Sequence, residues 1–407
     1  MKILQAHRCF YLKGGAEKVF FDADALLRAH CHDVAFFSMQ HPDNLPSPYA
    51  KYFVSSIDYG HGGLLHGIKA LGRLLYSREA RQKIDRLIAD FKPDVAHLHN
   101  IYHQISPSIL HSLKKAGVPV VMTLHDFKAV CANYYMIDRG KMCQACQGGR
   151  YYKCAVRGCV KESRLKSLPN TLEMYVHHTL LHIYDLVDVF ISPSQFLKDK
   201  ITEMGFKGRI EVLPNFVDAA DFTPSYGGQE RSIVFVGRMS YEKGIKTLLN
   251  AVKGLDITLK MIGDGPLRAE LEEKVKSEGI SNVRFLGYLK GDVLKSEIQK
   301  SLFAVLPSEC YENNPVSVME AFALGKPVVG SRMGGIPELV KDGETGYTFT
   351  SFQAAELTDV IKRLANDPAG IERMGKAGRR LVEENYSADK HYNGLIGIYG
   401  QLGIGAK

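Results

Sequence analysis

The sequence contains no apolar run close to the roughly 20 residues that a helix needs to span a bilayer. Nothing resembling a signal peptide precedes the strand-like stretch Lys2–Ala6, so we expect a cytoplasmic protein, associated at most with the inner face of the plasma membrane. Internal repeats and low-complexity tracts are also missing from the sequence. These absences leave an ordinary globular protein.

The length and the charge distribution both divide the chain into halves. A length of 407 residues suits two domains of similar size. Residues 1–215 contain 28 Lys/Arg against 19 Asp/Glu, a net +9, whereas the remainder contains 24 against 25, a net −1. A basic half indicates an anionic partner such as a lipid headgroup, a membrane surface, a phosphate-bearing substrate or nucleic acid. An ordinary solvated surface explains the excess equally well.

Short Val/Ile/Leu runs alternate with longer helix-period segments throughout the chain. Such runs indicate parallel strands buried on both faces, so we predict two doubly wound, Rossmann-like α/β domains. The expected organisation is a first domain over 1–214, a linker over 215–229, a second domain over 230–387 and a C-terminal helix within 388–407. One arrangement for that helix is packing back on the first domain. The predicted strands are Lys2–Ala6, Val34–Ser38, Val95–Leu98, Val118–Leu124, Val189–Ser192, Ile210–Leu213, Ile233–Val236, Thr258–Ile262, Val283–Leu286, Ala304–Leu306 and Pro327–Gly330.

Two carboxylates follow the strand that ends at Leu306. Ligands bind beyond the carboxyl ends of parallel strands, so with two sheets we expect the site where those ends face each other. Asn314 is the predicted N-cap of the next helix and Pro315 its first residue, which puts Glu312 at the helix mouth. Glu320 is expected to be buried one and a half turns inside, where ribose hydroxyls would satisfy it. Local hydrogen bonds and the helix dipole explain each carboxylate equally well.

A second loop, from Gly237 to Gly244, carries two cations. Gly237 lets the backbone approach a ligand closely, and Arg238 and Lys243 lie near a helix start. Two cations and a helix end are what a departing diphosphate needs, and such a site works without Mg²⁺. Gly263, in the next strand-end loop, is expected to line a nucleotide pocket. Either cation alone is explained as a surface residue.

Together these segments resemble a known family. Arg238-x4-Lys243, Glu312-x7-Glu320, Gly-Lys-Pro-Val-Val at 325–329 and Gly-Gly-Ile-Pro-Glu at 334–338 are similar to retaining GT-B glycosyltransferases of the family 4 kind, which make bacterial polysaccharides and glycolipids. The resemblance covers nearly the whole second half, in order and spacing. It implies a GT-B fold and transfer of a sugar from a nucleotide-diphosphate donor to a glycan or polyprenyl-linked acceptor.

The resemblance also implies roles for individual residues. Arg238 and Lys243 would bind the donor diphosphate, Glu312 the sugar hydroxyls and Glu320 the ribose. In place of the family's common Phe-Gly this chain has Tyr311 and then Asn313 and Asn314, and we count the two asparagines among the donor-binding residues. We identify no covalent nucleophile. The expected route is attack by the acceptor hydroxyl on the face from which the diphosphate leaves, with positioning and charge stabilisation supplied by the enzyme.

The first half offers a glycine pair and a histidine at strand ends. Gly14 and Gly15 open the helix predicted at Ala16–His30, where backbone amides can approach a phosphate or a reacting sugar. His125 ends a buried strand, and a neutral imidazole there can hydrogen-bond a sugar hydroxyl or orient the acceptor. The family carries a functional histidine at such a point, which favours that role over simple packing. His99 follows another strand and receives less weight.

Five of the eight cysteines lie close together in the sequence. In a cytoplasmic protein this density favours a metal over disulfides. Structural Zn²⁺ on Cys143, Cys146, Cys154 and Cys159, with Cys131 as an alternative ligand, and free oxidisable thiols remain equally open. The basic insertion around 131–166 follows His125 directly. We therefore expect it to shape the acceptor side, with peripheral membrane contact through this domain as one form.

Two further functions remain open. A nucleotide-sugar epimerase can use the same scaffold, because a fold alone does not determine a reaction. A nucleic-acid-binding protein that uses the basic, cysteine-rich insertion is the more distant alternative, since it leaves the loops of the second half unexplained. No nucleic-acid partner is therefore expected, and no cofactor is expected for catalysis.

Overall fold

The protein is described here from a computed structural model, which covers residues 1–58, 64–226 and 230–404, without the side chains of 64–66. The chain forms two compact units. The first comprises Met1–Leu213 and the chain from Tyr392 onward, and the second is Pro214–His391. The described residues of the predicted linker, 215–226, therefore belong to the second unit. Residues 227–229 of the linker are outside the described residues.

The first unit is built on a six-stranded parallel sheet in the order β2-β1-β3-β4-β7-β8. Buried runs of Val, Ile, Phe and Ala form its central strands, as expected for strands covered on both faces. A small antiparallel hairpin, β5-β6, lies outside this sheet. The strands are β1 Lys2–Ala6, β2 Asp33–Phe37, β3 Val95–Leu98, β4 Val120–Thr123, β5 Ile137–Asp138, β6 Lys141–Met142, β7 Val189–Ser192 and β8 Ile210–Val212.

Helices connect these strands, and the last helix of the chain completes the first unit. Leu395, Ile398 and Tyr399 lie in one apolar core with residues of β1, β2 and β3. This last helix, Ala388–Gly400, ends before the predicted range does, and residues 405–407 are outside the described residues. The helices of the first unit are α1 Gly15–Ala29, α2 Leu64–Leu75, α3 Arg78–Phe91, α4 Ile109–Lys115, α5 Tyr152–Arg157, α6 Arg164–Tyr175 and α7 Gln195–Glu203.

The second unit is a six-stranded parallel sheet in the order β11-β10-β9-β12-β13-β14. In the unit's own sequence order this is 3-2-1-4-5-6, the strand order of dinucleotide-binding folds. The strands are β9 Ser232–Val236, β10 Thr258–Ile262, β11 Val283–Gly287, β12 Phe303–Leu306, β13 Val328–Ser331 and β14 Gly346–Phe349. The helices are α8 Ile245–Val252, α9 Arg268–Ser277, α10 Gly291–Lys300, α11 Val316–Ala323, α12 Ile336–Leu339, α13 Ala354–Ala365 and α14 Pro368–Asn385. The last helix, α15 Ala388–Gly400, begins in this unit and continues into the first unit.

The predicted fold class is confirmed. The predicted strands missed only short segments whose sequences lack a continuous run of apolar residues. Two doubly wound parallel sheets are present. β14 was missed because its sequence, Gly-Tyr-Thr-Phe, lacks such a run and lies at the sheet edge. The β5-β6 hairpin was missed because its strands have two residues each. None of the described helices has the length and apolar character required to span a membrane.

Candidate active site

The loops with the predicted donor-binding residues lie at the switch point of the second sheet. The strand order reverses between β9 and β12, which are hydrogen-bonded neighbours. Connections leave two such strands in opposite directions, so their carboxyl ends flank an open crevice, where ligands bind in this class of fold. The loop with Arg238 and Lys243 follows β9, and the loop with Glu312 follows β12. The topology thus brings the two predicted loops to one place.

Glycines allow the loops after β9 and β10 to touch. Gly263 has a φ of 132°, and a Cβ atom built there would lie 2.0 Å from the carbonyl oxygen of Gly237. Gly237 in turn donates its N–H to the carbonyl of Ile262 over 3.0 Å. Any larger residue at 263 would push the two loops apart. Both predicted glycines therefore line the same backbone surface at the strand ends.

Lys243 and Glu312 form the polar centre of this site. The Lys243 Nζ donates to the Glu312 Oε1 over 2.6 Å, and the Ser308 hydroxyl donates to the same oxygen over 2.5 Å. The two charged side chains retain 24% and 14% of their exposure, so the ion pair is accessible to a ligand yet mostly desolvated. Sequence reasoning named both charged residues but missed Ser308, whose only signal was its position two residues after β12.

Burial and the opposite charges act against each other on the pKa values of this pair. Burial alone would raise the pKa of Glu312, but the Lys243 ammonium and the two hydrogen bonds lower it below its ordinary value. Burial would likewise lower the pKa of Lys243, and the Glu312 carboxylate more than offsets this and raises it. Both groups are therefore charged at neutral pH.

The main chain of Glu312 is held from the other side by Gly334 and Gly335. Gly335 donates its N–H to the Glu312 carbonyl over 2.7 Å. Gly334 has a φ of 64°, and a Cβ atom there would lie 2.1 Å from that same carbonyl oxygen. The Gly-Gly-Ile-Pro-Glu segment thus fixes the position of the catalytic candidate Glu312.

Arg238 lies in the same strand-end loop as Lys243, but its environment differs. It is exposed, and no described residue forms an ion pair with its guanidinium. Its neighbour Met239 is fully buried and donates its N–H to the Asp264 carbonyl over 2.9 Å, which anchors the loop. Arg238 therefore projects as an accessible cation from a fixed backbone.

The start of α11 differs from the prediction. The helix begins at Val316 with Pro315 at the N-cap position, so Asn314 is not the N-cap. The Asn314 Oδ1 accepts the backbone N–H of Asn215 over 3.0 Å, and the Asn314 carbonyl accepts from the Asn215 side chain over 2.9 Å. The Asn314 amide oxygen is therefore used in a hydrogen bond that ties the loop before α11 to Asn215.

Asn313 and Glu320 lie on either side of that helix start. Asn313 is half-buried in the loop, directly after Glu312. Glu320 is half-buried on α11, whereas burial was predicted, although its neighbours Met319, Ala321 and Phe322 are all buried. The Glu320 side chain is therefore not fully enclosed by the unit.

In the first unit, His125 belongs to a group of histidines at the ends of adjacent strands. The Nε2 of His125 lies 2.9 Å from the Nδ1 of His99, so one ring donates to the other. His97, further down β3, contacts the hydroxyls of Tyr399 and Thr123 over 2.8 and 2.7 Å. Burial, reinforced by Arg8, lowers the pKa of His125 to about 4. His125 is therefore neutral at physiological pH, as its predicted role requires.

The predicted glycine pair lies at the start of α1, which follows β1. Gly14 is the N-cap residue and Gly15 the first helical residue, one position before the predicted start. Neither has a positive φ, and a Cβ atom on Gly15 would meet nothing within 4 Å. The packing of the protein itself therefore does not demand glycine here. Open space beside free helix-start amides is what the approach of a ligand requires.

The five clustered cysteines line one small cavity of the first unit. They are Cys131, Cys143, Cys146, Cys154 and Cys159. All eight cysteines of the chain lie in the described residues and are free thiols. Among those residues, the only three side chains whose ligand atoms all lie within 4.8 Å of one another are His7, Cys9 and Glu17. The five cysteines thus line one cavity, but no three of their sulfurs lie within 4.8 Å of one another.

Comparison with known proteins agrees with this architecture. Residues 13–221 match the family model described as Glycosyltransferase Family 4, and residues 221–381 match Glycosyl transferases group 1. The alpha-D-kanosaminyltransferase of Streptomyces kanamyceticus is 31% identical over 192 residues, which cover 46% of this chain and 50% of that protein. The chain therefore spans about half the length of this curated relative.

Solved structures share the fold over the full length. Sucrose-phosphate synthase from Thermosynechococcus elongatus has a TM-score of 0.73 at 19% identity, with 98% of both chains covered. Anabaena HepE in complex with UDP-glucose has a TM-score of 0.66 at 16% identity, with 98% of this chain and 100% of that chain covered. The Family 4 match spans half of the chain, and each unit contains one six-stranded parallel sheet. The chain belongs to Glycosyltransferase Family 4 and has the GT-B fold.

Proposed function

We propose that this protein is a retaining glycosyltransferase that moves a sugar from a nucleotide-diphosphate donor to a hydroxyl of a glycan or lipid-linked glycan. The observation that carries the proposal is the Lys243–Glu312 pair, held at 2.6 Å beside the switch point of the second sheet. A diphosphate and a sugar need a cation and a hydroxyl acceptor side by side, and this pair provides both. The family membership and the UDP-glucose bound to the HepE neighbour support a nucleotide-sugar donor.

The proposed roles follow from the exposure and charge of each group. Lys243 and the exposed Arg238 stabilise the negative charge that develops on the departing diphosphate. Glu312, ionised and held by Ser308, accepts hydrogen bonds from sugar hydroxyls, and the half-buried Glu320 accepts them from the ribose. We propose that these two cations serve the diphosphate without a divalent ion. Glycines 14, 15, 237 and 263 have no side chain that would keep the donor away from the backbone.

We propose that the first unit positions the acceptor. His125 is neutral, because burial and Arg8 lower its pKa to about 4, and a neutral imidazole can both donate and accept a hydrogen bond. The basic excess of residues 1–215 suits an acceptor that bears phosphate, such as a polyprenyl-linked glycan, or contact with an anionic membrane surface. Vesicle flotation with and without anionic lipid tests the membrane contact, and equal recovery in both would argue against it.

The decisive experiment compares Lys243→Ala with Lys246→Ala. Lys246 lies three residues away, is 45% exposed and pairs with Glu270, so its removal controls for loss of one positive charge nearby. We expect Lys243→Ala to lose on the order of 10²- to 10³-fold in turnover of the sugar nucleotide, and Lys246→Ala to keep nearly all. The donor is first found by a thermal-shift screen, since a ligand at 100 times its Kd stabilises by about 2.7 kcal/mol. Normal turnover in Lys243→Ala would refute the assignment.

Two measurements decide the finer points. NMR of the first-formed product gives its anomeric configuration, and inversion would overturn the retaining mechanism. Incubation of the donor without an acceptor separates a transferase from an epimerase on the same fold, because only an epimerase would convert the donor sugar into its isomer. The family membership favours transfer over both epimerisation and nucleic-acid binding.

A further inference from the structure

The segment that contains the cysteine cluster has little regular structure of its own. Between Cys131 and Glu162 it forms a hairpin of two-residue strands, a three-residue 3₁₀ turn and the six-residue helix α5. Five non-glycine residues in this short segment have a positive φ, a conformation that persists only where the surroundings enforce it. These residues are Tyr134, Met136, Arg139, Lys161 and Glu162. Such a segment needs a cross-link of some kind to keep one conformation.

The cysteines are arranged around a single small cavity. All five line a cavity of about 10 Å³, which is about the room that one water-sized guest needs. Cys131, Cys146 and Cys154 are buried, and Cys143 and Cys159 are half-buried. Cysteines from a loop, a turn and a helix thus line one cavity with room for a single small ion.

Two cationic side chains border the cavity. Lys153 and Arg157 line the same cavity, and their charges offset the negative charge of a thiolate cluster. The Cys131 thiol donates to the Oδ1 of Asn133 over 3.0 Å, which fixes its sulfur at the wall of the cavity. Metal binding replaces that thiol hydrogen, because the thiolate is the form of cysteine that binds metal.

We propose that this cluster is a structural zinc site in which Cys131, Cys146, Cys154 and Cys159 bind one Zn²⁺ tetrahedrally. Four thiolates in a closed shell are the ligand set of structural zinc. Binding converts four thiols to thiolates and releases their protons to solvent. Because no three of the sulfurs lie within 4.8 Å of one another, the ion draws them together by side-chain rotation.

The choice of these four replaces Cys143, which the sequence spacing had favoured, by Cys131. Cys131, Cys146 and Cys154 are the three buried thiols of the cluster, and Cys159 shares a hydrogen bond with Cys154. The Cys143 sulfur instead accepts from the Arg157 guanidinium over 3.9 Å at the rim. The Arg157 guanidinium is therefore already a partner of the Cys143 sulfur.

The test measures metal content and ligand geometry in the full chain. The protein is purified without chelator and dialysed, and zinc is determined by elemental analysis, with about one zinc per chain expected. Replacement by Co²⁺ is expected to give the intense visible bands and the thiolate charge-transfer band of a tetrahedral four-sulfur site. Zinc release during titration of the thiols with a mercurial reports the same site without any substitution.

Matched serine variants then assign the ligands. Cys146→Ser and Cys131→Ser are expected to lose the bound zinc, whereas Cys143→Ser keeps it, and Cys31→Ser, at an exposed position outside the cluster, controls for the substitution. Background metal content together with absence of the Co²⁺ bands would overturn the site. A disulfide between Cys154 and Cys159 in the purified protein, detected by peptide mass, would do the same. Loss of zinc in Cys143→Ser with retention in Cys131→Ser would overturn the ligand assignment.

Discussion

Replacing Gly334 by alanine tests whether the position of Glu312, rather than its mere presence, controls the reaction. An added Cβ atom would lie 2.1 Å from the Glu312 carbonyl oxygen, and ordinary van der Waals contact begins at 3.4 Å. One of the two segments must therefore move by the difference, 1.3 Å. A displacement of about 1 Å in a group that contacts substrate costs on the order of 10²-fold in rate. We expect a loss of that size in turnover.

Gly343→Ala is the matched control. Gly343 has a φ of 76°, close to the 64° of Gly334, but an added Cβ atom there would meet nothing within 4 Å. Both variants carry the backbone penalty of a left-handed alanine, about 1–2 kcal/mol. Only Gly334→Ala adds the overlap, which costs about 1–3 kcal/mol more.

The assay combines urea unfolding with the initial rate of nucleotide release from the sugar nucleotide. Stability measured by unfolding shows whether the second unit has remained folded under the conditions of the rate measurement. Equal turnover in Gly334→Ala and Gly343→Ala, with both proteins folded, would refute the argument that this contact positions Glu312.

Three further predictions concern stability, its pH dependence and nucleotide binding. Glu173→Gln, which leaves the Lys128 ammonium buried without its carboxylate partner at 2.6 Å, is expected to destabilise by about 3–5 kcal/mol in urea unfolding, and a loss below about 1 kcal/mol would contradict it. Burial, with a contribution from His125, lowers the pKa of His7 to about 3, below its unfolded value of 6.5, so its stabilising effect is complete above pH 6.5 and is lost as the pH falls towards 3. His7→Gln should therefore flatten the acid side of a melting-temperature profile, and an unchanged profile would count against it. Gly263→Ala is expected to abolish the thermal shift given by a nucleotide diphosphate, because its Cβ atom would lie 2.0 Å from the neighbouring loop.

The prediction of the fold rested on signals that are local in sequence. Central strands of a doubly wound sheet are buried on both faces, so runs such as Val95–Leu98 and Val189–Ser192 reveal themselves by composition alone. The edge strand Gly346–Phe349 has no such run. This strand can pair with its neighbour because Gly346 has no side chain. A Cβ atom built at that position would lie 1.8 Å from the Val328 carbonyl oxygen, and this close approach is not visible in the sequence.

The sequence by itself determined the two α/β units, the loops that follow their strands, and the charged residues that those loops carry, because periodicity and turn chemistry act over a few residues. Only the tertiary structure decided that Lys243 and Glu312, 69 residues apart, share a hydrogen bond, that Asn314 pairs with Asn215 instead of capping α11, and that Glu320 is half-exposed. These outcomes depend on which strand ends become neighbours and on how side chains from distant segments fill the space between them. Sequence spacing does not encode that geometry, because it arises from packing of the whole unit.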